Sequence, residues 1–498
     1  MSDELHRVAE AFRATMPKHA HVSTFRIDHL DRTGIPVVQA NLLVENYPAT
    51  TGYGYGFTSI EAEVGALGEL CEEVHVGRWV ARAPRTEGNY AELSRARAVV
   101  DPLTLCLSAG SDYTPDMPLT WIEAKRWPSG ETILVPREWV AAYPYQLGDE
   151  KPRLITPITN GLGAGFDMEH AIAHGIMEAL QRDGNVVNYR ALDQGVSVEL
   201  DAVQDPAVQG LLDHLTSLGI DVMVKLAADD FGMANLYVVG DDRGRPTAPI
   251  QVTSCGEAVH PDRNRTLRKA LLEFCGSRAR KAATHGPIPL LRDALPLDYV
   301  ERQMKVAMLD EEEPRALDAM VEWMEQDAEG LRARLANSVF AARSHRKLSE
   351  LPTVSAEAVA DSKDRLALLT DRLAAEGIEV LYVDCSPPGE AVRAVKVIIP
   401  GLEIETMSYH RIGWRGVRRL RARRDPLILD APRDGAKRVL LRRDDEARAG
   451  GPAWFDGALA DRLVGRIYPM YRETGTFSAQ MVLAQRRGAQ GRGQAVPA

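Results

Sequence analysis

Four glutamates and two histidines stand out by spacing. Glu69 and Glu72 sit three residues apart, one turn along one face of a candidate helix. His170, His174 and Glu178 recur at four-residue intervals on another, and Glu273 lies in a third, "ALLEFCGSR". Carboxylates gathered from several helices are hard oxygen ligands of the kind Mg2+ takes, and Mg2+ in turn binds nucleotide phosphates. Imidazole suits Zn2+ or Fe2+. Residues eight apart on one straight helix are about 12 Å apart, however, so only adjacent pairs among His170, His174 and Glu178 could chelate one ion. Exposed glutamates are common on helices, so the spacing alone establishes no site.

The elements that must position these groups repeat. "GFTSIEAEVGALGELCEE" overlays "GFDMEHAIAHGIMEALQR" without a gap: Gly56 on Gly165, Phe57 on Phe166, Ala62 on Ala171 and Glu69 on Glu178, all 109 positions apart. Each copy has a glycine-bearing entry and an N-cap candidate, Thr58 or Asp167, and Thr58 with Glu61 has capping-box spacing. Each helix carries an apolar stripe (Ile60, Val64, Leu67, Cys71; Met168, Ile172, Ile176, Ala179) and a polar one (Glu61, Gly65, Glu69, Glu72; His170, His174, Glu178, Gln181).

Composition narrows the class. With 498 residues, 45% hydrophobic and 26% charged, the chain has ample length for a large core or several domains. It has no apolar run of about 18 residues, so no membrane partner is expected. "MSDELHRVAEAF" lacks the basic and apolar regions of a signal peptide. Five scattered cysteines without a CxxC pair fit reduced, cytoplasmic thiols. A net charge of -10 disfavours nucleic acid. The basic segment "HRIGWRGVRRLRARRD" admits a phosphate-rich partner, but a surface paired with the acidic chain is the simpler expectation.

Along the chain, the patterns predict helices over 5–16, 59–79, 168–182, 263–283 and 362–376, with another in "DPAVQGLLDHLTSLGI". Strands are predicted at 34–44 and in "DVMVKLA", "NLYVVG", "PIQVTSCG", "VLYVDCS" and "VKVIIPGLE". The expected class is mixed α/β (α+β): layered sheets with surrounding helices and an internal pseudo-duplication. The expected units are an N-terminal helix (1–20), a main domain (21–415) with a charged helical insert at about 295–350, a C-terminal extension (416–485) and a disordered tail (486–498).

Five markers in order, "FRIDHLDRTGIPVV", "GYGYGFTSIEAEVGALGELCEE", "TNGLGAGFDMEHAIAHGIMEALQRDG", "HPDRNRTLRKALLEFCGSR" and "VKVIIPGLE", run from about Thr24 to Glu403. In them the chain resembles the YcaO family of cyclodehydratases. The resemblance implies a YcaO-like fold and, as cofactors, ATP and Mg2+. It implies O-phosphorylation of a peptide backbone amide, followed by attack of a nucleophile and loss of phosphate. A Cys, Ser or Thr side chain then gives an azoline; a sulfide donor gives a thioamide. The expected setting is maturation of a ribosomally made peptide or protein. The expected partners are that substrate and a separate recognition or sulfur-delivery protein, with a homodimer among the assemblies allowed. The alternative is a degenerate YcaO domain that binds a peptide or partner without hydrolysing ATP.

Carried over position by position, the resemblance implies metal carboxylates at Glu69, Glu72, Glu178 and Glu273. It implies nucleotide contacts at Arg26, Tyr55, His170, His174, Arg182 and Arg278. The chain departs from the family pattern at several of these points. Tyr55 stands for a lysine, Gly65 and Gly163 for serines, Glu73 for an arginine, His170 and His174 for glutamate and glutamine, and Gly276 for a glutamine. The lost cations predict a weakened hold on triphosphate, each charge-assisted contact being worth about 1.5–3 kcal/mol. Protonated His170 and His174 would replace some of that charge and make binding stronger below about pH 6.5. The tail holds one proline, Pro497, where azoline-forming members carry a proline-rich end.

Overall fold

The computed structural model describes residues 2–493 apart from Pro152, Leu192, Arg245, Thr247, Leu297, 405–409 and Tyr471. Three strand-to-helix units form its centre. The first runs from β3 (Tyr47–Tyr55) into α2 (Ser59–Arg82), the second from β7 (Leu162–Gly165) into α3 (Met168–Ala191), and the third from β11 (Cys255–Val259) into α4 (Arg263–His285). Local chemistry starts each helix. Thr58 and Glu61 close the expected capping box, and Asp167 accepts from the His170 N–H. Asp262 accepts from the Asn264 N–H.

Glycines let strand and helix backbones touch. A Cβ on Gly52 would lie 2.4 Å from the Ala66 carbonyl oxygen, one on Gly54 2.0 Å from that of Ala62, and one on Gly163 2.1 Å from that of Ala171. On Gly256 it would lie 2.1 Å from the Ala270 carbonyl oxygen. The third unit therefore repeats the first: Gly52, Ala66 and Glu69 correspond to Gly256, Ala270 and Glu273. Each helix packs on its own strand and on the strand of the next unit: α2 on β7, α3 on β11, and α4 back on β3. The expected pseudo-duplication is a ring of three.

Sheets surround the ring. β1 (Ala20–Arg26), β2 (Val37–Val44) and β3 form an antiparallel meander covered by α2, which also packs on the N-terminal α1 (Ser2–Ala14). A second sheet has the order β4 (Thr86–Asn89), β5 (Pro118–Trp127), β13 (Val380–Asp384), β14 (Arg393–Ile398), β7, with β6 (Thr132–Pro136) paired to β5. A third has β11, β10 (Asn235–Asp242), β9 (Ile220–Ala228), β8 (Val196–Glu199) and β12 (Ser344–Lys347), the last pair parallel. α5 (Ser362–Ala375) packs on α3.

Several boundaries differ from expectation. α3 continues to Ala191 because Val186 and Val187, beyond the repeat, find buried partners. "PIQVTSCG" is a 3-10 turn at Pro249–Val252, opened by proline, with the strand starting at Cys255. The 415/416 boundary cuts α6 (Trp414–Ala422), whose core continues through Leu427 and Phe455 and the small sheet at Ile428–Leu429, Lys437–Arg438 and Trp454–Phe455. The 20/21 boundary falls inside β1. α7 (Ser478–Gly493) passes through the stretch expected to be disordered, anchored by buried Ala479 and Leu483; residues 494–498 lie outside the described residues.

The basic segment is tied down by the chain's own acceptors. Arg415 is buried among Asp183, Asp230 and Glu376, Arg419 pairs with Asp183 and Asp230, and Arg411 donates to the Leu105 and Cys106 carbonyls. Glu403, the last residue of the "PGLE" marker, accepts from the Gly413 and Gly416 N–H groups at the start of α6.

Candidate active site

Glu69, Glu178 and Glu273 occupy equivalent positions on the three ring helices. Each is half-buried, and Glu72, one turn along α2, joins them. Backbone amides aim these carboxylates. Tyr53 N–H donates to Glu69 (2.5 Å), Gly161 N–H to Glu178 (2.8 Å), and Ala164 N–H to Glu72 (3.0 Å). Glu273 instead accepts from the Tyr55 hydroxyl (2.9 Å).

The electrostatics couple Glu69, Glu72 and Glu178 to one another. Burial pushes the Glu69 carboxyl up to about 8, with Glu73 and Glu178 adding to the shift against the opposing pull of Tyr53 N–H and Arg280. Burial, Glu178 and Glu69 hold Glu72 well above the usual carboxylate range. Burial also raises Glu273; Glu257 adds to this, while Lys269 and Arg182 oppose it. Carboxyls that resist ionisation in one place lack positive charge, which a divalent cation would supply. Among the described residues no three acidic or imidazole groups already stand close enough to hold one ion. The donor set fits Mg2+ by its oxygen chemistry.

The remaining candidates divide. Arg182 faces the ring through Glu257 (2.8 Å), beside Glu273. Tyr55 lies inside it, its phenol held well above the usual range by burial and Glu273. His174 is 3.8 Å from Glu72, but burial and the nearby Lys269 push it down to about 3. His170 is also lowered by burial, with Arg365 close by (3.5 Å). Both shifts run against protonation, which opposes the expectation that these imidazoles supply cations and strengthen binding in acid. Arg278 is buried and bound by Asp31, Asp242 and the Gln251 carbonyl; Arg26 is exposed and pairs with Asp28. The structure does not bring these two arginines to the carboxylates.

Two departures from the family pattern are one packing event. A Cβ on Gly276 would lie 2.8 Å from the Tyr55 ring, so the tyrosine fills the volume that a glutamine would need. Glu73 turns away from the ring centre, accepting from Thr50 and from the Tyr143 hydroxyl (2.7 Å). Gly163 leaves no room for serine against Ala171. Sequence reasoning missed Lys269 and Arg280, which lie four residues before and seven after Glu273 on the same helix. That spacing was available as a signal. It also missed Glu257, the buried Lys396 and Glu473, for which no local pattern exists. Burial pushes Lys396 down to about 8, opposed by Glu178.

Two open cavities of about 340 and 500 Å3 lie elsewhere, sharing Gly377, Trp414 and Arg448 and containing none of these residues. Ion pairs such as Arg442–Asp445 and Arg126–Glu379 neutralise the walls of the first.

The chain matches the YcaO cyclodehydratase family, described as ATP- and Mg2+-binding, over residues 53–403, and it belongs to that family. It is 26% identical over 414 residues to an uncharacterized protein of Methanothermobacter thermautotrophicus, covering 82% of this chain and 97% of that one. It is 25% identical over 427 residues to an uncharacterized protein in the tfuA 3′ region of Rhizobium leguminosarum bv. trifolii, covering 83% and 92%. In fold it is similar to YcaO from Methanopyrus kandleri bound with AMPPCP and Mg2+, with a TM-score of 0.56, 21% identity, and 83% and 93% of the two chains covered.

Proposed function

We propose that this protein is an ATP- and Mg2+-dependent enzyme that activates a peptide backbone amide by O-phosphorylation, for heterocyclisation or thioamidation of a ribosomally made peptide or protein. The observation that carries the reading is the ring itself: three strand–helix units pack in a cycle and set Glu69, Glu178 and Glu273 at equivalent positions on their helices, with Glu72 one turn from Glu69. Family membership supports the nucleotide and the metal. When bound, Mg·ATP supplies the phosphoryl group that makes the amide oxygen able to leave.

The chain's residues would do the holding. Glu72 and Glu178, with Glu69, present carboxylate oxygens for Mg2+, each oriented by a backbone N–H. Glu273 is tied to Tyr55 and neighbours the Arg182–Glu257 pair. Such orientation before binding lets the site favour the reacting geometry without reorganising. A separate recognition or sulfur-delivery protein and a cytoplasmic setting belong to the same reading.

The degenerate-binder reading draws on the missing cations: Tyr55 is neutral, and Glu73 is an acid engaged by Thr50 and Tyr143. Titration calorimetry with Mg·ATP separates the two. Heat of binding that Glu178→Gln abolishes supports the enzyme. No heat at millimolar nucleotide favours the binder, and binding that ignores Glu178→Gln moves the site elsewhere.

A further inference from the structure

A cation cluster lies beside the carboxylates and is already occupied by the chain's own acid. Arg280 extends from α4 with its side chain 39% exposed, and it interacts electrostatically with Glu69 and Glu273. Lys281 and His285 follow on the same helix, both buried. All three face Glu473: Arg280 Nη2 at 3.3 Å, Lys281 Nζ at 4.0 Å and His285 Nε2 at 3.6 Å. Arg280 and its neighbours hold the Glu473 carboxyl far below the usual range.

Glu473 comes from outside the ring, on a strap at 472–477. Arg280 lies over the Tyr53 ring, 5.9 Å from its centroid, and the Tyr53 N–H is the amide that holds Glu69. The Phe477 N–H donates to the Thr284 carbonyl, and its ring is fully buried. Gly475 N–H and the Ser478 hydroxyl both donate to Glu312. Phe477 has φ +67, a conformation disfavoured for an aromatic residue.

A triphosphate entering the ring meets few free cations, since Tyr55 and Glu73 stand where positive charge is expected. Arg280 has the reach and the charge, and Glu473 holds it. We propose that Arg280 is the phosphate-contacting cation of this site and that Glu473 masks it as an internal anion until nucleotide displaces the strap. This rests on the nucleotide reading above. Charge-assisted contacts of this kind change affinity by about tenfold or more.

The test is titration calorimetry of the full chain with Mg·ATP and with Mg·tripolyphosphate. Glu473→Gln should bind both about tenfold more tightly than wild type, because its competing charge is gone. Arg280→Met should bind both at least about tenfold more weakly, and the double variant should show no gain over Arg280→Met. Saturating Mg·ATP should also raise hydrogen exchange at 472–477 in the unaltered protein, a readout that does not depend on how the variants fold. Unchanged or weaker binding by Glu473→Gln, wild-type binding by Arg280→Met, or unchanged exchange in the strap overturns the proposal. If wild-type binding still depends on Glu178, this proposal falls and the nucleotide reading stands. If neither wild type nor Glu473→Gln binds either ligand, the nucleotide reading falls and the proposal falls with it.

Discussion

Glu69→Gln should stabilise the metal-free protein in alkali and leave it unchanged in acid. The glutamine keeps the acceptor for Tyr53 N–H and removes a charge that burial, Glu73 and Glu178 all oppose. In the folded protein the Glu69 carboxyl keeps its proton until about pH 8, whereas in the unfolded chain it loses it near 4.5. The folded state therefore binds more protons across that window, and wild-type stability falls as pH rises through it. A shift from 4.5 to about 8 corresponds to about 5 kcal/mol above pH 8 and to nothing below pH 4.5. At about 2.1 cal/mol/K per residue, the 498-residue chain loses about one degree of Tm per kcal/mol, so the gain should be about 5 °C. Scanning calorimetry in EDTA from pH 5 to 9 measures it. Millimolar Mg2+ at pH 8.5 should then stabilise wild type and not the variant. A variant that melts lower than wild type by the same amount at every pH would refute this reasoning, because Glu69 would then be an ordinary structural acid.

Mg·ATP binding should strengthen from pH 6 to pH 9, as Glu69 loses a proton that competes with metal; calorimetry in matched buffers checks the sign. Gly54→Ala should cost about 3 kcal/mol or more by urea unfolding, since its Cβ would meet the Ala62 carbonyl at 2.0 Å and that neighbour is helix backbone. Arg278→Met should cost about 3–5 kcal/mol by leaving Asp31 and Asp242 buried without their partner. The folded fraction of that variant should still bind Mg·ATP, because Arg278 lies away from the carboxylates.

Much of the positioning scaffold was legible before any coordinates. The starts of α2 and α3 are local chemistry: a capping box at Thr58 and Glu61, and an acceptor at Asp167. The gapless 109-residue repeat places Glu69 and Glu178 at equivalent points, because identical spacing on two helices gives identical register. The third unit was legible in principle. A glycine in or just before the strand and the unit's glutamate lie 17 residues apart at 52 and 69, at 161 and 178, and at 256 and 273. Little else in the third unit matches the first two, so its place in the repeat is hard to read from sequence.

What tertiary structure alone decided is charge and occupancy. The types of His170 and His174 allow a cation at pH 6, but desolvation lowers both, helped by Arg365 at each and by Lys269 at His174. The family resemblance implies a nucleotide contact at Arg278, yet Asp31 and Asp242, distant in sequence, claim it. Tyr55 and Gly276 read as two separate departures until packing makes them one. Glu473 carries no local signal, because its partners lie about 190 residues away. Periodicity and capping act over a few residues and are therefore written in the chain, whereas desolvation and ion pairing act through space and arise only when the ring closes.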